Sequence, residues 1–381
     1  MTRITCVHQG FELYGSDRSF IETVRVIRAA WPAAWIDVVL PRSGPIVAPL
    51  EAIASRVLIE PLWILRRREL PRLATIGLLT LPFAVGRALR RIRSSDLVYV
   101  NTSVVADYLL AARAGGGRSI VHVHEIPEGA VLKALRALIR WSGCGVIFNS
   151  RATERAFAMP AHMRARVVYN GIADPGPVKA MTYDGSRPLR LLMLGRISRI
   201  KGQDVLVEAI GRLPGAIRDR IEVRIVGGAF ADAEREQALV AAIAEAGLAE
   251  RVTLHPFVAD PAPHFLWADV VAVPSCLPES LGRVAIEAMA YGIPPIVSDI
   301  GGLPEVVEHG SGGWVVPPGR ADRLAEALTA IVARPESWRA FPAAARLRYQ
   351  TVFGEAASAE AMRDQLLRVL GRRASGTAPG T

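Results

Sequence analysis

The sequence predicts an α/β protein built from two doubly wound, Rossmann-like parallel-sheet halves facing across a cleft. Three observations carry that expectation. Short apolar runs alternate with helical periodicity, the alternation breaks at a Pro/Gly-rich stretch, and it then restarts. In the first half Ile4–His8, Ile36–Leu40, Leu97–Val100, Ser119–Val123, Gly145–Phe148 and Val167–Tyr169 read as strands buried on both faces. Phe20, Val24 and Ile27 recur at i, i+4, i+7, the stripe of a crossover helix. Asp174-Pro175-Gly176-Pro177 and Asp184-Gly185-Ser186-Arg187-Pro188 punctuate an aperiodic linker. Beyond it Leu189–Leu194, Glu222–Val226, Val252–Leu254, Val270–Val273 and Pro295–Val297 read as strands, and Leu206, Ala209, Ile210 and Leu213 share one helix face. The expected boundaries are 1–173 and 174–354, then a final helical segment near 355–371 and a disordered tail at 372–381.

With 381 residues, two or three domains are expected. Hydrophobic residues at 51% and charged residues at 22% exclude a largely disordered chain. Cys6, Cys144 and Cys276 are too few and too scattered for a disulfide framework or a cysteine zinc site, which favours a reducing compartment. No secretory signal is visible, and no run reaches the roughly 18 apolar residues that span a bilayer.

The net charge of +10 is unevenly spread. Arg66, Arg67, Arg68, Arg72, Arg87, Arg90, Arg91 and Arg93 face a single acid, Glu69, within one segment. An apolar run from Ala74 to Val85 lies between the basic ends, too short to cross a membrane but suited to the headgroup region of an anionic surface. On a helix, Arg87, Arg90 and Arg91 share one face and Val85, Leu89 and Ile92 another. The competing reading is an ordinary amphipathic helix with solvated arginines. Aromatics for base stacking are missing, so nucleic acid is not an expected partner.

Chemistry concentrates in two strings. Leu194-Gly195-Arg196-Ile197-Ser198-Arg199-Ile200-Lys201-Gly202 leaves a strand and opens a helix, so Arg196 and Lys201 stand at the strand's carboxyl end beside anion-attracting amides. Glu279-Ser280-Leu281-Gly282-Arg283-Val284-Ala285-Ile286-Glu287 spaces two carboxylates eight positions apart, one on a loop and one about two turns into a helix. Carboxylates suit sugar hydroxyls, and the amides of Leu281 and Gly282 suit phosphate oxygens. His122 and His124 alternate on one strand, but a third metal ligand is not evident, so no metal is expected. Glu125 and Glu128 read as surface glutamates, with acid or base roles as the alternative, Gly115-Gly116-Gly117 as a loop, Gly301-Gly302 as a turn, and Trp267 and Trp314 as packing. A full G-x-G-x-x-G is missing from both halves, which argues against dinucleotide binding.

The strings GRISRIKG, ADVVAVPS, PESLGRVAIEAMAYGIPPIVSDIGGLPEVV and GSGGWVVPPG resemble the donor half of glycosyltransferase family 4, which has the GT-B fold. YGSDRSF, VHVHEI, VIFNS and VVYNGI are more loosely similar to the family's acceptor-domain landmarks. The resemblance implies an acceptor domain at 1–173, a donor domain at 174–354 and a final helix near 355–371 that packs back on the first, with retaining transfer from a nucleotide sugar, UDP- or GDP-linked, and no required metal. It further implies that Arg196 and Lys201 bind the diphosphate, Glu279 the transferred sugar and Glu287 the ribose. Ser280, Leu281 and Gly282 then supply backbone contacts, His124 points at the reacting sugar, and Gly15 belongs to a loop under the phosphates. Where the family has paired glycines, this chain has Tyr14-Gly15.

A lipid-linked saccharide at the inner, cytoplasmic face of the membrane is the expected acceptor, in polysaccharide or glycolipid assembly. Two alternatives stand beside this reading. A GT-B nucleotide-sugar epimerase would act with no acceptor, and a non-catalytic nucleotide-sugar-binding module would bind without turnover.

Overall fold

The computed structural model describes residues 1–13, 15–65, 77–176, 178, 183–229 and 232–374. They form two compact units, one of Met1–Gly171 with the chain from Ala356 onward, the other of Ile172–Glu355. The first holds a seven-stranded sheet of β1 (Arg3–His8), β2 (Trp35–Leu40), β3 (Arg56–Ile59), β4 (Leu97–Asn101), β5 (Ser119–Val123), β6 (Gly145–Phe148) and β7 (Ala165–Val167), in the order β3-β2-β1-β4-β5-β6-β7. The second holds β8 (Leu189–Leu194), β9 (Ile221–Val226), β10 (Val252–His255), β11 (Val270–Val273), β12 (Pro295–Ser298) and β13 (Trp314–Val316), in the order β10-β9-β8-β11-β12-β13. Every pairing in both sheets is parallel. The α/β class expected from the alternation is therefore the observed one.

Side-chain alternation builds a core on each face of the first sheet. Ile4, Cys6, Leu97 and Tyr99 enter one cluster, while Val7, Val98, Val100, Val121 and Val123 enter the other. Both faces are covered by helices, so these strands read as unbroken apolar runs. The final helix, Glu355–Ala374, adds Met362 and Leu366 to the first of those clusters, and Ser358 Oγ donates to the Tyr169 carbonyl at 2.7 Å. That helix extends into the segment expected to be disordered; 375–381 lie outside the described residues.

Two strands escape sequence reasoning. Both β3 and β13 are short edge strands, with Arg56 and Ile59 exposed and Trp314 and Val315 half-buried, so neither shows a continuous apolar run. The strand expected at Val167–Tyr169 instead lies at Ala165–Val167, because β6 pairs Val146 with Ala165 and Phe148 with Val167.

The sheets share one device that positions chemistry. Strand order reverses between β1 and β4 in the first and between β8 and β11 in the second. Loops leaving adjacent strands at such a point diverge to opposite faces and open a crevice at the strands' carboxyl ends.

The basic segment is only partly described, since Arg66, Arg67, Arg68, Arg72 and the start of its apolar run fall within 66–76. Its helix, Leu78–Ser94, buries Ala84, Ala88 and Ile92, with Val85 and Leu89 packed beside them. The face expected to be uniformly basic is divided. Arg91 bonds to Glu60 and lies 3.6 Å from Asp37, and Arg87 bonds to the Pro61 carbonyl and lies 3.5 Å from Glu60. These two arginines are thus held on acids of their own unit, while Arg90 and Arg93 are exposed. Among the described residues no helix is long and apolar enough to cross a membrane.

Candidate functional site

The second unit's switch point assembles the predicted donor residues. Arg196 and Lys201 lie in the loop after β8, and Glu279 lies in the loop after β11. Lys201 Nζ donates to Glu279 Oε2 at 2.8 Å, and the buried Ser275 hydroxyl donates to Glu279 Oε1. Both carboxylate oxygens are therefore held. The loops are also tied by main chain, Cys276 N donating to the Ile200 carbonyl at 2.8 Å. Gln203, itself buried, fixes the Arg196 loop by donating from Nε2 to the Arg196 carbonyl at 3.0 Å. The Arg196 side chain is exposed and forms no hydrogen bond or ion pair among the described residues.

Two helices start at this place, Gln203–Arg212 and Arg283–Ala290, with Gly202 and Gly282 as their N-caps. A glycine offers no capping side chain, so first-turn N–H groups are left to meet an anion. Gly282 has φ +87°, which strains any other residue, and a Cβ there would stand 2.3 Å from Leu303 Cδ2, which would have to shift. Glu287, one turn in, accepts from Arg283 Nε at 2.8 Å. Leu281 is buried and Ser280 half-buried beside Glu279.

Gly301 and Gly302 are more than a turn. The Gly302 N–H donates to the Glu279 carbonyl at 2.8 Å. A Cβ on Gly301, where φ is +62°, would lie 2.2 Å from that carbonyl oxygen. The Gly301 loop thus lies directly against the backbone that presents the Glu279 carboxylate.

The first unit gathers a different set at the carboxyl ends of β1, β4 and β5. His8 Nε2 lies 2.6 Å from Asp17 Oδ1, and His8 Nδ1 lies 2.9 Å from Asn101 Nδ2. Asn101 Oδ1 lies 2.8 Å from His124 Nε2, and Tyr99 OH lies 2.7 Å from His122 Nδ1. Burial lowers the pKa of His124 to about 3 and that of His122 well below the ordinary imidazole value, each helped by a neighbouring histidine. Glu125 departs from the surface role expected of it. It is half-buried, receives the His124 N–H at 3.3 Å, and desolvation pushes its carboxyl up to about 7. Glu128 is exposed, as expected. Thr102, β-branched and fully buried, has φ +94° immediately after β4, a strained backbone of the kind that clusters at functional sites.

Gly15 begins the helix Gly15–Ala30 after β1; Tyr14 lies outside the described residues. Gly115–Gly117 form a turn at the amino end of β5, the end of the sheet away from these side chains. Trp314 packs with Trp338 and Phe341, and the Trp267 ring lies under the Arg224 guanidinium at 3.9 Å. Among the described residues there is no group of three or more His, Cys, Asp or Glu that could hold a metal ion. The sequence reading missed Ser275, Gln203 and Asn101. Of these, Ser275 follows a strand within a motif already singled out, whereas Asn101 carries no signal beyond its place after β4.

Residues 185–348 match the family model described as glycosyl transferases group 1. The chain is 35% identical over 158 residues to a D-inositol 3-phosphate glycosyltransferase of Thermobifida fusca, which is 39% of this chain and 35% of the relative. A protein of the same name in Nocardia farcinica is 40% identical over 150 residues, 36% of this chain and 32% of the relative. This chain thus spans about a third of the length of the curated relatives it matches. The crystal structure of Anabaena HepE in complex with UDP superposes with a TM-score of 0.80 at 23% identity, covering 97% of this chain and all of that one. The same Anabaena protein has also been crystallised with UDP-glucose. Residues 185–348 therefore match the group 1 glycosyl transferases, within a chain that has the GT-B fold.

Proposed function

We propose that this protein is a retaining hexosyltransferase of family 4 type that moves a sugar from a UDP- or GDP-linked donor to a lipid-linked saccharide, in polysaccharide or glycolipid assembly. The observation that carries the proposal is the Lys201–Glu279 pair at the second sheet's switch point, flanked by two uncapped helix starts. It gives a hydroxyl-binding carboxylate and a phosphate-binding cation side by side, as one activated-sugar molecule demands.

In the reaction, the bond from the anomeric carbon to the diphosphate oxygen breaks and electrons pass to the phosphate. The acceptor hydroxyl attacks from the same face, its oxygen bonding to the anomeric carbon and its proton passing to the departing phosphate oxygen. Configuration is retained. Lys201, Arg196 and the amides at 281–282 take up the charge of the leaving diphosphate, Glu279 holds sugar hydroxyls, and Glu287 holds the ribose. The reading requires no metal and no further cofactor.

The acceptor reading places the protein peripherally on the cytoplasmic face of an anionic membrane. It is supported by the helix Leu78–Ser94, whose Leu78, Leu79 and Phe83 are exposed on the same element as Arg90 and Arg93. A polyol phosphate is a second acceptor reading, favoured by the names of the Thermobifida and Nocardia relatives.

A thermal-shift screen across UDP-, GDP- and ADP-sugars, followed by assay with and without acceptor, tests the proposal. A donor at 100 times its dissociation constant adds about 2.7 kcal/mol of stability. Sugar interconversion without acceptor would support an epimerase instead, and binding without transfer or slow hydrolysis a non-catalytic module.

A further inference from the structure

Seven histidines occur in the chain, and three of them, His8, His122 and His124, meet around one asparagine at the switch point of the first sheet. His8, Asn101 and His122 are almost wholly buried and His124 is 9% exposed, so their protons must be shared among themselves. With a neutral His8 ring, the assignment follows from contact to contact. Asp17 accepts the Glu12 N–H through Oδ2 at 3.1 Å, and its Oδ1 lies 2.6 Å from His8 Nε2. A carboxylate accepts, so His8 Nε2 carries the proton, and on a neutral ring Nδ1 is then a lone pair. That lone pair faces the Asn101 amide nitrogen, which donates to it. The amide's other end is then the oxygen, which must accept from His124 Nε2 at 2.8 Å.

Tyr99 completes the accounting. Its hydroxyl lies 3.0 Å from Asn101 Oδ1 and 2.7 Å from His122 Nδ1. His122 Nε2 is buried and has no hydrogen-bond partner among the described residues. A proton there would be an unsatisfied buried donor, so His122 carries its proton on Nδ1, donates to Tyr99, and Tyr99 donates to Asn101.

We infer that Asp17, acting through His8 and Asn101, is a positioning residue that locks neutral His124 in its Nε2–H form. His124 Nδ1 is thereby left as a lone pair whose sole described neighbour is Asn170 Nδ2, at 3.4 Å. His124 offers ligands a hydrogen-bond acceptor and never a proton. On the proposed transfer function, on which this last step rests, it receives a hydroxyl of the bound saccharide rather than acting as general acid. The asparagine is required because an amide alone has one donating and one accepting end; aspartate would present acceptors to both rings.

Long-range ¹H–¹⁵N NMR of the full chain with ¹⁵N-labelled histidine reads the three tautomers directly. At pH 7 the expected result is Nε2–H for His8 and His124 and Nδ1–H for His122, each favoured by more than about tenfold, as one neutral hydrogen bond gives. His124 found as Nδ1–H or as imidazolium would overturn the inference. In Asn101→Asp an acceptor still faces His124 Nε2, so His124 keeps Nε2–H; His124 found as Nδ1–H there would also overturn it. In Asn101→Leu the His124 preference falls at least severalfold, and an unchanged preference counts against the relay. None of these readouts needs a donor, so a failed donor screen with the predicted tautomers removes the transfer reading and leaves the relay standing.

Discussion

Lys201 Nζ lies 2.8 Å from Glu279 Oε2 although 78 residues separate them. Adjacent strands β8 and β11 deliver the two loops, and Ser275 holds the remaining carboxylate oxygen. Both side chains stay partly exposed, a setting in which an ion pair adds only about 0–1 kcal/mol to stability. On the proposed transfer function, Lys201→Ala therefore lowers glycosyl transfer by roughly 10²–10³ at saturating donor while moving the unfolding free energy by no more than about 1 kcal/mol. Steady-state kinetics and urea denaturation check the two halves of that statement, and near-native turnover would remove Lys201 from the reaction.

Gly301 constrains the same carboxylate from behind. Its left-handed φ and the Glu279 carbonyl 2.2 Å from a would-be Cβ make alanine costly there. Gly301→Ala should destabilise the protein by about 1–3 kcal/mol and weaken donor binding, because the Glu279 backbone has to move. Calorimetry with a binding nucleotide sugar measures both effects; unchanged affinity would show that the loop does not set Glu279.

The exposed apolar residues on the helix Leu78–Ser94 yield a prediction about surfaces. Leu79 and Phe83 are 76% and 77% exposed, with Arg90 and Arg93 further along the helix. The protein should float with anionic vesicles at low salt, less so at high salt, and the double variant Leu79→Glu, Phe83→Glu should float severalfold less. Equal flotation of the two proteins would assign this helix to packing alone.

Buried groups of opposite sense make stability versus pH informative. Burial pushes the Asp107 carboxyl up to about 7, so the folded chain holds a proton that the unfolded chain releases near pH 4. That contribution is full below the unfolded value and is lost as pH rises toward 7. His122 and His124 behave oppositely, being held neutral in the fold, so their contribution is present above about pH 6.5 and is lost as pH falls. The two trends offset between pH 7 and pH 5. Asp107→Asn removes the first, so on going from pH 7 to pH 5 the variant should lose about 2 kcal/mol relative to wild type. Urea denaturation at both values checks this, and parallel profiles would mean that Asp107 ionises normally.

The part of the fold legible beforehand was the part with one-dimensional consequences. Leu189–Leu194 and Val270–Val273 were readable because a parallel strand covered on both faces needs apolar residues at nearly every position, Arg190 being the exception here. Arg56–Ile59 and Trp314–Val316 were not, since edge strands have a weaker requirement. Arg87 and Arg91 show the same limit for charge. The sequence counts them as a basic patch, but it cannot show that Glu60 and Asp37, far off in the chain, meet them.

From the sequence alone came the two α/β halves and the chemical types in the loops after β8 and β11, because strand burial, helix periodicity and the residues flanking a helix start are local matters. The tertiary structure decided which of those residues touch. It set Lys201 against Glu279, placed Gly301 behind it, and closed Asp17, His8, Asn101 and His124 into one hydrogen-bonded chain. Such contacts arise where strand order reverses, and strand order is fixed by pairing between distant segments, which no local pattern encodes.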